Sequence, residues 1–316
     1  MNNLNVTSAS SLITTPEARR SGFLEYALRR NKEAVPFIDK AKALKATLQA
    51  HTNQPHDILS IVKVKESLLE SAGISVKAKA HLSDIDKERL LADFIDQILI
   101  PSGKDYIDEI IYRYLLTSGD ALGGKMRNIV GSIANEKFNR FVISQLQICQ
   151  INFSFATNIS GFVKEEEYTL DIAEAIKAVR WQTNDNEQRL LIYNVKVPQV
   201  SKNIDIVLLN KSTEATRGNP LKAILSEPSN YLTIGELKGG IDPAGADEHW
   251  KTADTALRRV RSSFSNQVPL IFIGAAIESS MAIEIFTQYQ NGYLSNCANL
   301  TNDEQLASLC EWLVSK

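Results

Sequence analysis

Two stretches of this chain, Asn203-Ile-Asp-Ile-Val-Leu-Leu209 and Ile234-Gly-Glu-Leu-Lys-Gly-Gly240, decide its fold. Each is a short apolar run interrupted by charged residues, which is the pattern of a β-strand. In an extended strand, side chains two residues apart point to the same side, so Glu236 and Lys238 share one face. The sequence therefore predicts two neighbouring apolar strands that carry Asp205, Glu236 and Lys238.

These three side chains are the groups that metal-dependent hydrolysis of a phosphodiester needs. Two carboxylates can hold a hard divalent cation such as Mg²⁺, and a lysine beside them can orient or deprotonate the attacking water. The plain alternative is an exposed ion pair between Glu236 and Lys238, because an acid and a lysine at this spacing are common by chance. The apolar surroundings favour the functional interpretation, since a buried charge is costly unless it is paired or bound to metal.

A glycine-rich turn and a predicted helix follow the second strand. Asp242, before a proline, or Asp247 can cap the start of this helix. His249 falls in its first turn, and the strand, turn and helix bring it back towards Glu236 and Lys238. A histidine at a helix start can also be a simple cap or face water, and the residues alone leave both interpretations open.

Two segments resemble a known family of enzymes. The stretch Gly235-Glu-Leu-Lys-Gly-Gly-Ile-Asp-Pro-Ala-Gly-Ala-Asp-Glu-His-Trp-Lys-Thr-Ala253 is similar to the active-site region of type II restriction endonucleases, most closely those of the AvaI/BsoBI type. The stretch Ser118-Gly-Asp-Ala-Leu-Gly-Gly-Lys-Met-Arg-Asn128 also resembles restriction enzymes. The chain length is similar as well, so the resemblance is expected to span most of the chain.

The resemblance implies a role for each matching residue of the strand pair. Asp205, Glu236 and Lys238 match the PD-(D/E)xK nuclease triad, in which the two carboxylates bind Mg²⁺ and the lysine lies near the attacking water. One departure is visible, because Ile204 directly precedes Asp205 where the motif has a proline. This departure weakens the first half of the motif.

The resemblance also implies residues that contact DNA and position water. His249 falls where this type has a histidine close to the scissile phosphate. Asp242 lies in the loop that reaches base edges, and Lys77 is a second candidate for that contact. The implied target is the degenerate palindrome CYCGRG in double-stranded DNA, cut to leave a 5′-phosphate. No residue pattern in the chain indicates this target independently.

The segment Gly119-Asp-Ala-Leu-Gly-Gly-Lys125 matches the start of a phosphate-binding P-loop. We reject a nucleotide cofactor, because Met126 stands where a Ser or Thr should bind magnesium and the preceding segment is predicted to be helical. The glycines instead predict a turn, with Lys125 and Arg127 at the start of the next helix. These two residues are candidates for contacts to the DNA backbone; a plain connection between helices is the open alternative.

Composition sets the outer limits of the prediction. The chain has 316 residues, of which 44% are hydrophobic and 23% charged, and this is typical of a soluble globular protein with one or two domains. No apolar run approaches the length of a membrane span, so we expect a cytoplasmic protein without membrane contact. The net charge of −2 does not exclude DNA binding, because positive charge can be concentrated in a cleft. Three cysteines without CxxC spacing predict neither a disulfide framework nor a zinc site.

The predicted architecture is mixed α/β, a restriction-endonuclease-like central mixed sheet flanked by helices with a largely helical N-terminal region. Residues 1–12 are rich in Asn, Ser and Thr and predict a loose tail. Residues 1–150 are expected to form a mainly helical region that embraces DNA, and residues 151–316 a catalytic core with strands at 190–195, 204–209, 231–237 and 270–274. A closing helix is predicted to start with a capping box at Thr301.

The predicted function is Mg²⁺-dependent, site-specific cleavage of double-stranded DNA in restriction and modification. A homodimer is expected, because cutting both strands of a palindrome calls for two identical sites related by a two-fold axis. One alternative is a repair or recombination nuclease that reads DNA structure. Another, from a different class, is a non-catalytic DNA-binding protein in which the three charged residues form only an ion-pair cluster.

Overall fold

The computed structural model of this chain describes residues 3–157, 161–264 and 267–316. Within these ranges an eight-stranded mixed sheet is flanked by helices and joined to a long helical N-terminal region, so the predicted fold class is confirmed. The strands are β1 (Phe153–Ala156), β2 (Val163–Lys164), β3 (Ala178–Gln182), β4 (Gln188–Val197), β5 (Lys202–Leu209), β6 (Tyr231–Lys238), β7 (Leu270–Gly274) and β8 (Asn296–Asn299). Their spatial order is β2-β1-β3-β4-β5-β6-β7-β8. Strands β6, β7 and β8 are parallel to one another, and the other neighbours are antiparallel.

The α-helices of the described ranges vary widely in length. They are α1 (Pro16–His51), α2 (Lys65–Ser71), α3 (Val76–Lys79), α4 (Asp84–Phe94), α5 (Tyr106–Ile148), α6 (Asn219–Ser226), α7 (Ala246–Ser263), α8 (Ser279–Gln290) and α9 (Asp303–Val314). In the described residues no helix is long and apolar enough to cross a membrane.

The chain divides into two compact units. The first contains residues 1–23 and 129–316 and carries the whole sheet; the second contains residues 24–128 and is helical. This boundary lies inside α5, whereas the predicted functional division between 150 and 151 follows the change from helices to strands. The roles assigned to 1–150 and 151–316 remain predictions.

The sheet buries both of its faces in the first unit. Strand β7 shows this most simply, because Leu270 and Phe272 belong to one apolar cluster while Ile271 and Ile273 belong to the other. Helices α6, α7 and α8 contribute to the first cluster, and the end of α5 together with α9 contributes to the second. A strand covered on both sides reads as a continuous apolar run, which is why β7 could be predicted from sequence.

All four predicted strands are confirmed as β4, β5, β6 and β7. Sequence reasoning missed β1, β2, β3 and β8. Strand β2 has only two residues, and β8 begins and ends with a buried asparagine, so neither carries an apolar or alternating signal.

The predicted turn at residues 119–124 is wrong, because α5 runs without interruption from Tyr106 to Ile148. A buried stripe continues through this segment at helical spacing, with Ile110, Tyr114, Ser118, Leu122 and Met126 each at least nine-tenths buried. Packing of this stripe outweighs the weak helix propensity of the glycines, which is about 1 kcal/mol per residue relative to alanine. The P-loop interpretation therefore has no structural basis here.

The predicted tail is also wrong for residues 3–12, while residues 1 and 2 lie outside the described ranges. Val6 and Leu12 are buried in the first apolar cluster. The Asn3 side chain donates hydrogen bonds to the backbone carbonyls of Cys297 and Gln305, at 3.1 and 2.9 Å. Polar residues that suggest disorder by composition here make buried hydrogen bonds to the backbone of β8 and α9.

Local capping signals mark the starts of several helices. Helix α1 begins at Pro16, and α4 begins after a capping box in which Ser83 and Asp86 bond each other's backbone. For α9 the prediction was wrong by one residue, because Asn302 rather than Thr301 is the cap and accepts from the backbone of Gln305. Asparagine is among the best N-cap residues, so the same sequence signal allowed both choices.

Candidate active site

Strands β5 and β6 place the predicted acidic residues opposite each other. Antiparallel pairing sets Ile206 against Gly235 and Val207 against Ile234. Continuing that register by one residue places Asp205 opposite Glu236. Directly opposed side chains on an antiparallel pair are about 5 Å apart at Cβ, which is close enough for two carboxylates to share one cation.

Lys238 joins the two carboxylates through its ammonium group. Its Nζ lies 2.9 Å from Asp205 Oδ2 and 2.6 Å from Glu236 Oε2. Asp205 Oδ2 also accepts a hydrogen bond of 3.0 Å from the backbone N–H of Leu237. The structure therefore brings together the three residues that the sequence singled out, and orients them by strand register and by one backbone hydrogen bond.

Burial differs sharply among the three side chains. The Glu236 side chain is only 5% exposed, whereas those of Lys238 and Asp205 are 22% and 32% exposed. The cluster is thus closed towards the core and open on the side of Asp205. A reactant that reaches it from solvent meets Asp205 and Lys238 first.

Glu236 has an unusually high pKa for a carboxylic acid. Burial raises the pKa of Glu236 to about 8, and the negative charge of Asp205 acts in the same direction, while Lys238 opposes the rise. Burial by itself would lower the pKa of Lys238, but the charges of Glu236 and Asp205 outweigh it and hold that pKa above its usual value. Two facing carboxylates with one ammonium group leave an excess of negative charge that a divalent cation would neutralise.

The donor set fits Mg²⁺ better than a soft metal. Asp205 and Glu236 offer oxygen ligands, and Mg²⁺ is usually held by one or two carboxylates together with waters and substrate phosphate. Over residues 3–157, 161–264 and 267–316 no group of three or more His, Cys, Asp or Glu residues is arranged to hold a metal. A pair of carboxylates is therefore the site to consider, and it would leave most coordination positions to water and DNA.

His249 lies beside the loop that follows β6. It is exposed in the first turn of α7, as predicted. A Cβ added to Gly240 would lie 3.3 Å from His249 Nε2, and one added to Gly245 would lie 3.4 Å from it. The imidazole thus covers two glycines, the first of which is two residues beyond Lys238. Helix α7 is held in this position by its buried Trp250, whose Nε1 donates to Glu284 Oε2 at 2.7 Å.

Asp242 has a definite structural role in the same loop. Its Oδ1 accepts a hydrogen bond of 2.9 Å from the backbone N–H of Ala244 and caps the short 3₁₀ turn Pro243–Gly245. Helix α7 begins only after this turn, at Ala246, so the predicted cap belongs to the 3₁₀ turn. The Asp242 residue is exposed, and its second carboxylate oxygen is left for another donor.

Gly239 permits close packing within the protein. A Cβ at this position would lie 2.7 Å from the backbone oxygen of Val130 and 2.5 Å from Cβ of Ala134, both on α5. Sequence reasoning missed this contact. The only sequence signal was the glycine pair itself, which cannot distinguish contact with a ligand from contact with a helix.

The remaining predicted DNA-binding residues lie in the second unit. Lys77 is exposed on α3, and Lys125 and Arg127 are exposed on α5. Lys125 forms an ion pair of 2.6 Å with Glu33 on α1. Because Lys125 and Arg127 lie within a continuous helix, the predicted helix N-terminus that was to bind phosphate does not exist at this point.

Comparison with known proteins gives a consistent result over nearly the whole chain. The family model described as restriction endonuclease BsobI matches residues 2–316. The type II restriction enzyme BsoBI of Geobacillus stearothermophilus is 44% identical over 315 residues, covering 98% of this chain and 96% of that protein. The type II restriction enzymes AvaI of Nostoc sp. and of Anabaena variabilis are each 41% identical over 314 residues, covering 98% of both chains.

Proposed function

Since this chain belongs to the BsobI family of restriction endonucleases and is a type II restriction enzyme, we propose that it hydrolyses DNA at CYCGRG in a Mg²⁺-dependent reaction. The family establishes site-specific cleavage of DNA. What we propose beyond this is the identity of the metal, of the target sequence and of the residues that carry out the reaction. The observation that carries it is the cluster in which Lys238 bridges Asp205 and Glu236 on adjacent strands.

Asp205 and Glu236 would hold the metal ion. When bound, Mg²⁺ would neutralise charge on the scissile phosphate and lower the pKa of a water. The facing positions of the two carboxylates suit one shared ion, and the raised pKa of Glu236, caused by burial and then by the charge of Asp205, is typical of a functional site. The Leu237 N–H fixes Asp205 Oδ2, so the carboxylate is oriented before any reactant binds.

Lys238 and His249 are the candidates for handling the attacking water. The high pKa of Lys238 keeps it an ammonium group, which suits it to orient a water and to stabilise negative charge on phosphorus oxygens. His249 is exposed beside Gly240, two residues beyond Lys238, and an imidazole can serve as a general base. This division gives the lysine an electrostatic role and the histidine the role of base or water-positioning group.

Recognition of DNA is assigned to the predicted contact residues. Asp242 is exposed in the loop between the catalytic strand and α7, and we propose that it reaches base edges together with Lys77. Lys125 and Arg127 would contact backbone phosphates from the side of α5. The family name supports DNA binding; CYCGRG is the target that the resemblance to the AvaI/BsoBI type implies.

The active assembly is proposed to be a homodimer in the cytoplasm, with residues 1–150 embracing DNA and 151–316 forming the catalytic core. A palindrome presents the same chemistry on both strands, and a two-fold axis brings one active site to each. Family membership favours this function over a structure-specific repair nuclease and over a non-catalytic DNA-binding protein.

Incubation of the purified protein with long DNA of known sequence, with Mg²⁺ and with EDTA, tests the proposal. We expect discrete fragments with Mg²⁺ whose ends map to CYCGRG, and intact DNA with EDTA. Discrete fragments that map to another sequence would overturn the proposed target while leaving the chemistry. Equal cleavage in EDTA would overturn the metal dependence.

A further inference from the structure

Helix α1 exposes a row of large apolar side chains in the second unit. Leu24, Leu28, Val35 and Ile38 are 66%, 72%, 49% and 42% exposed. Asn31, also exposed, lies in the middle of the row. Contiguous exposed apolar residues on a helix are more informative than single ones, because they mark surfaces that another molecule covers.

The five positions follow a heptad spacing. Their separations are four, three, four and three residues, and on a helix of 3.6 residues per turn they fall within an arc of about 80°. We name this row, Leu24, Leu28, Asn31, Val35 and Ile38, the α1 seam.

The polarity of this part of α1 is the reverse of that in an ordinary surface helix. Arg29 and Glu33, on the side opposite to the seam, are half-buried and joined by an ion pair of 3.0 Å. Glu33 also pairs with Lys125 of α5 at 2.6 Å. Only beyond residue 40 does α1 bury apolar residues in its own unit, at Ala41, Leu44 and Leu48. A helix that turns charge inward and leucine outward is built to be covered from outside.

We propose that the α1 seam pairs with the α1 seam of a second copy of this chain, in antiparallel orientation, at the centre of the interface of the proposed homodimer. The inference rests on the proposed function in so far as that function requires a dimer. A two-fold axis matches one surface with itself, and a heptad seam is complementary to its own copy. No different partner needs to supply a matching surface.

Charge supports the antiparallel orientation. Glu25 and Lys32 are exposed, lie seven residues apart and flank the same edge of the seam. A two-fold axis perpendicular to the helices, near residue 29, brings Glu25 of each copy beside Lys32 of the other. Two equivalent ion pairs then border the apolar contact, which is the arrangement that selects partners in coiled coils.

The length of the seam limits how much of the interface it can form. Fifteen helical residues extend about 21 Å, and a stable interface buries on the order of 800 Å² per partner. The α1 seam therefore supplies the apolar centre, and surrounding surfaces must supply the rest. Charges placed in such a centre disrupt association far more than charges at a rim.

Sedimentation equilibrium of the full chain without DNA tests the proposal. We expect wild type to be a dimer at micromolar concentration and Leu28→Glu/Val35→Glu to dissociate at least about a hundredfold more readily. Ile85→Glu is the matched control, because Ile85 is 79% exposed on α4 of the same unit and lies outside the seam. Circular dichroism and thermal unfolding show whether each variant is folded. Variants of the charged residues Glu25 and Lys32 provide a second test that leaves the apolar residues unchanged.

Lys32→Glu should weaken the dimer, and the double exchange Glu25→Lys/Lys32→Glu should restore it. The inference would be overturned if Leu28→Glu/Val35→Glu dimerised as tightly as wild type, or if wild type were a monomer. In the first case the seam would serve another partner. Failure of the double exchange to restore association would overturn the antiparallel orientation. Cleavage of DNA is measured separately from association. A monomer that cuts CYCGRG would overturn the inference about the α1 seam but leave the proposed function standing. A dimer that depends on the seam but does not cut DNA would refute only the proposed function.

Discussion

Lys238 binds Asp205 and Glu236 at the same time, so each residue of the cluster depends on the other two. Removal of one charged side chain therefore changes the electrostatic interactions of the other two. Glu236 is the most informative to alter, because it is the most buried of the three and a glutamine has nearly the same shape.

Glu236→Gln should abolish cleavage and leave specific DNA binding intact. The substitution removes a proposed metal ligand without touching the residues assigned to base contacts, and loss of metal catalysis is expected to reduce the rate by about two to three orders of magnitude or more. Single-turnover cleavage of a CYCGRG duplex measures the first effect, and a mobility-shift titration with Ca²⁺ measures the second. Asp185→Asn, an exposed carboxylate of the β3–β4 turn, is the control and should cut normally. Normal cleavage by Glu236→Gln would remove Glu236 from the site.

The pKa of Glu236 predicts how the metal-free protein responds to pH. The folded-state pKa of about 8 lies above the ordinary value of 4.5. The protonated carboxyl therefore stabilises the fold below pH 4.5, and this contribution is lost as the pH rises to about 8. In EDTA, the melting temperature of Glu236→Gln relative to wild type should increase across this window and then level off. Saturating Mg²⁺ should reduce the difference, because the metal neutralises the ionised carboxylate of wild type alone. A difference that does not change between pH 5 and 9 would contradict the assigned pKa.

At the scale of secondary-structure elements, the distance between the end of β6 and α5 is fixed by a glycine. Gly239→Ala would place a Cβ 2.7 Å from the backbone oxygen of Val130, so one of the two elements must move. We expect a loss of about 1–3 kcal/mol in the free energy of unfolding, together with a lower cleavage rate because Lys238 directly precedes the contact.

Gly123→Ala, a substitution within α5 itself, is expected to raise the free energy of unfolding. Gly123 lies within α5, and apart from its chain neighbours and the backbone of its own helix no atom lies within 4 Å of an added Cβ, so alanine should stabilise the protein by up to about 1 kcal/mol. Urea unfolding of both variants measures the pair. If Gly239→Ala were as stable as wild type, strand β6 would not be held against α5 as described, and if Gly123→Ala were destabilised, the segment 119–124 would not be helical.

The elements that sequence predicted correctly are those in which local pattern and tertiary packing agree. Strand β6 carries charge at a spacing of two within an apolar run, β5 carries one aspartate beside its apolar run, and in both the pattern and the buried sheet require an extended chain. Helix α5 shows the opposite case, since Gly119, Gly123 and Gly124 suggest a turn but a buried stripe imposes a helix. Packing partners far apart in sequence decide such cases, and a single sequence does not name them.

The same limit applies to the candidate active site. The spacing of Glu236 and Lys238 predicted that they share a face, and their contact confirms it. The position of Asp205 opposite Glu236 required the register of β5 against β6, which is set by pairing across the sheet. His249 could be placed only approximately, because its contact with Gly240 depends on the 3₁₀ turn that delays the start of α7.

At the scale of the whole molecule, residues near both ends of the described chain pack on the same sheet. Asn3, Val6 and Leu12 pack against the sheet unit that contains α9. The candidate active site lies on two adjacent strands of this same unit, so one chain supplies one complete set of Asp205, Glu236 and Lys238. A double-strand cut by a symmetric dimer must then use one cluster for each strand.

Mixed dimers of wild type and Glu236→Gln test this consequence directly. Subunits that exchange freely in an equal mixture give about half heterodimers, and each heterodimer has one intact cluster. On a supercoiled plasmid with one CYCGRG site, such heterodimers should nick a single strand, and open-circular DNA should accumulate before linear DNA. Wild type alone should give linear DNA with little open-circular intermediate. Co-expression of the two subunits with different affinity tags isolates the heterodimer, so the test does not depend on exchange of subunits in the mixture. Linear DNA as the first product of the isolated heterodimer would mean that one cluster cuts both strands in turn, and the two-fold model would have to be replaced by sequential cleavage from a single active site.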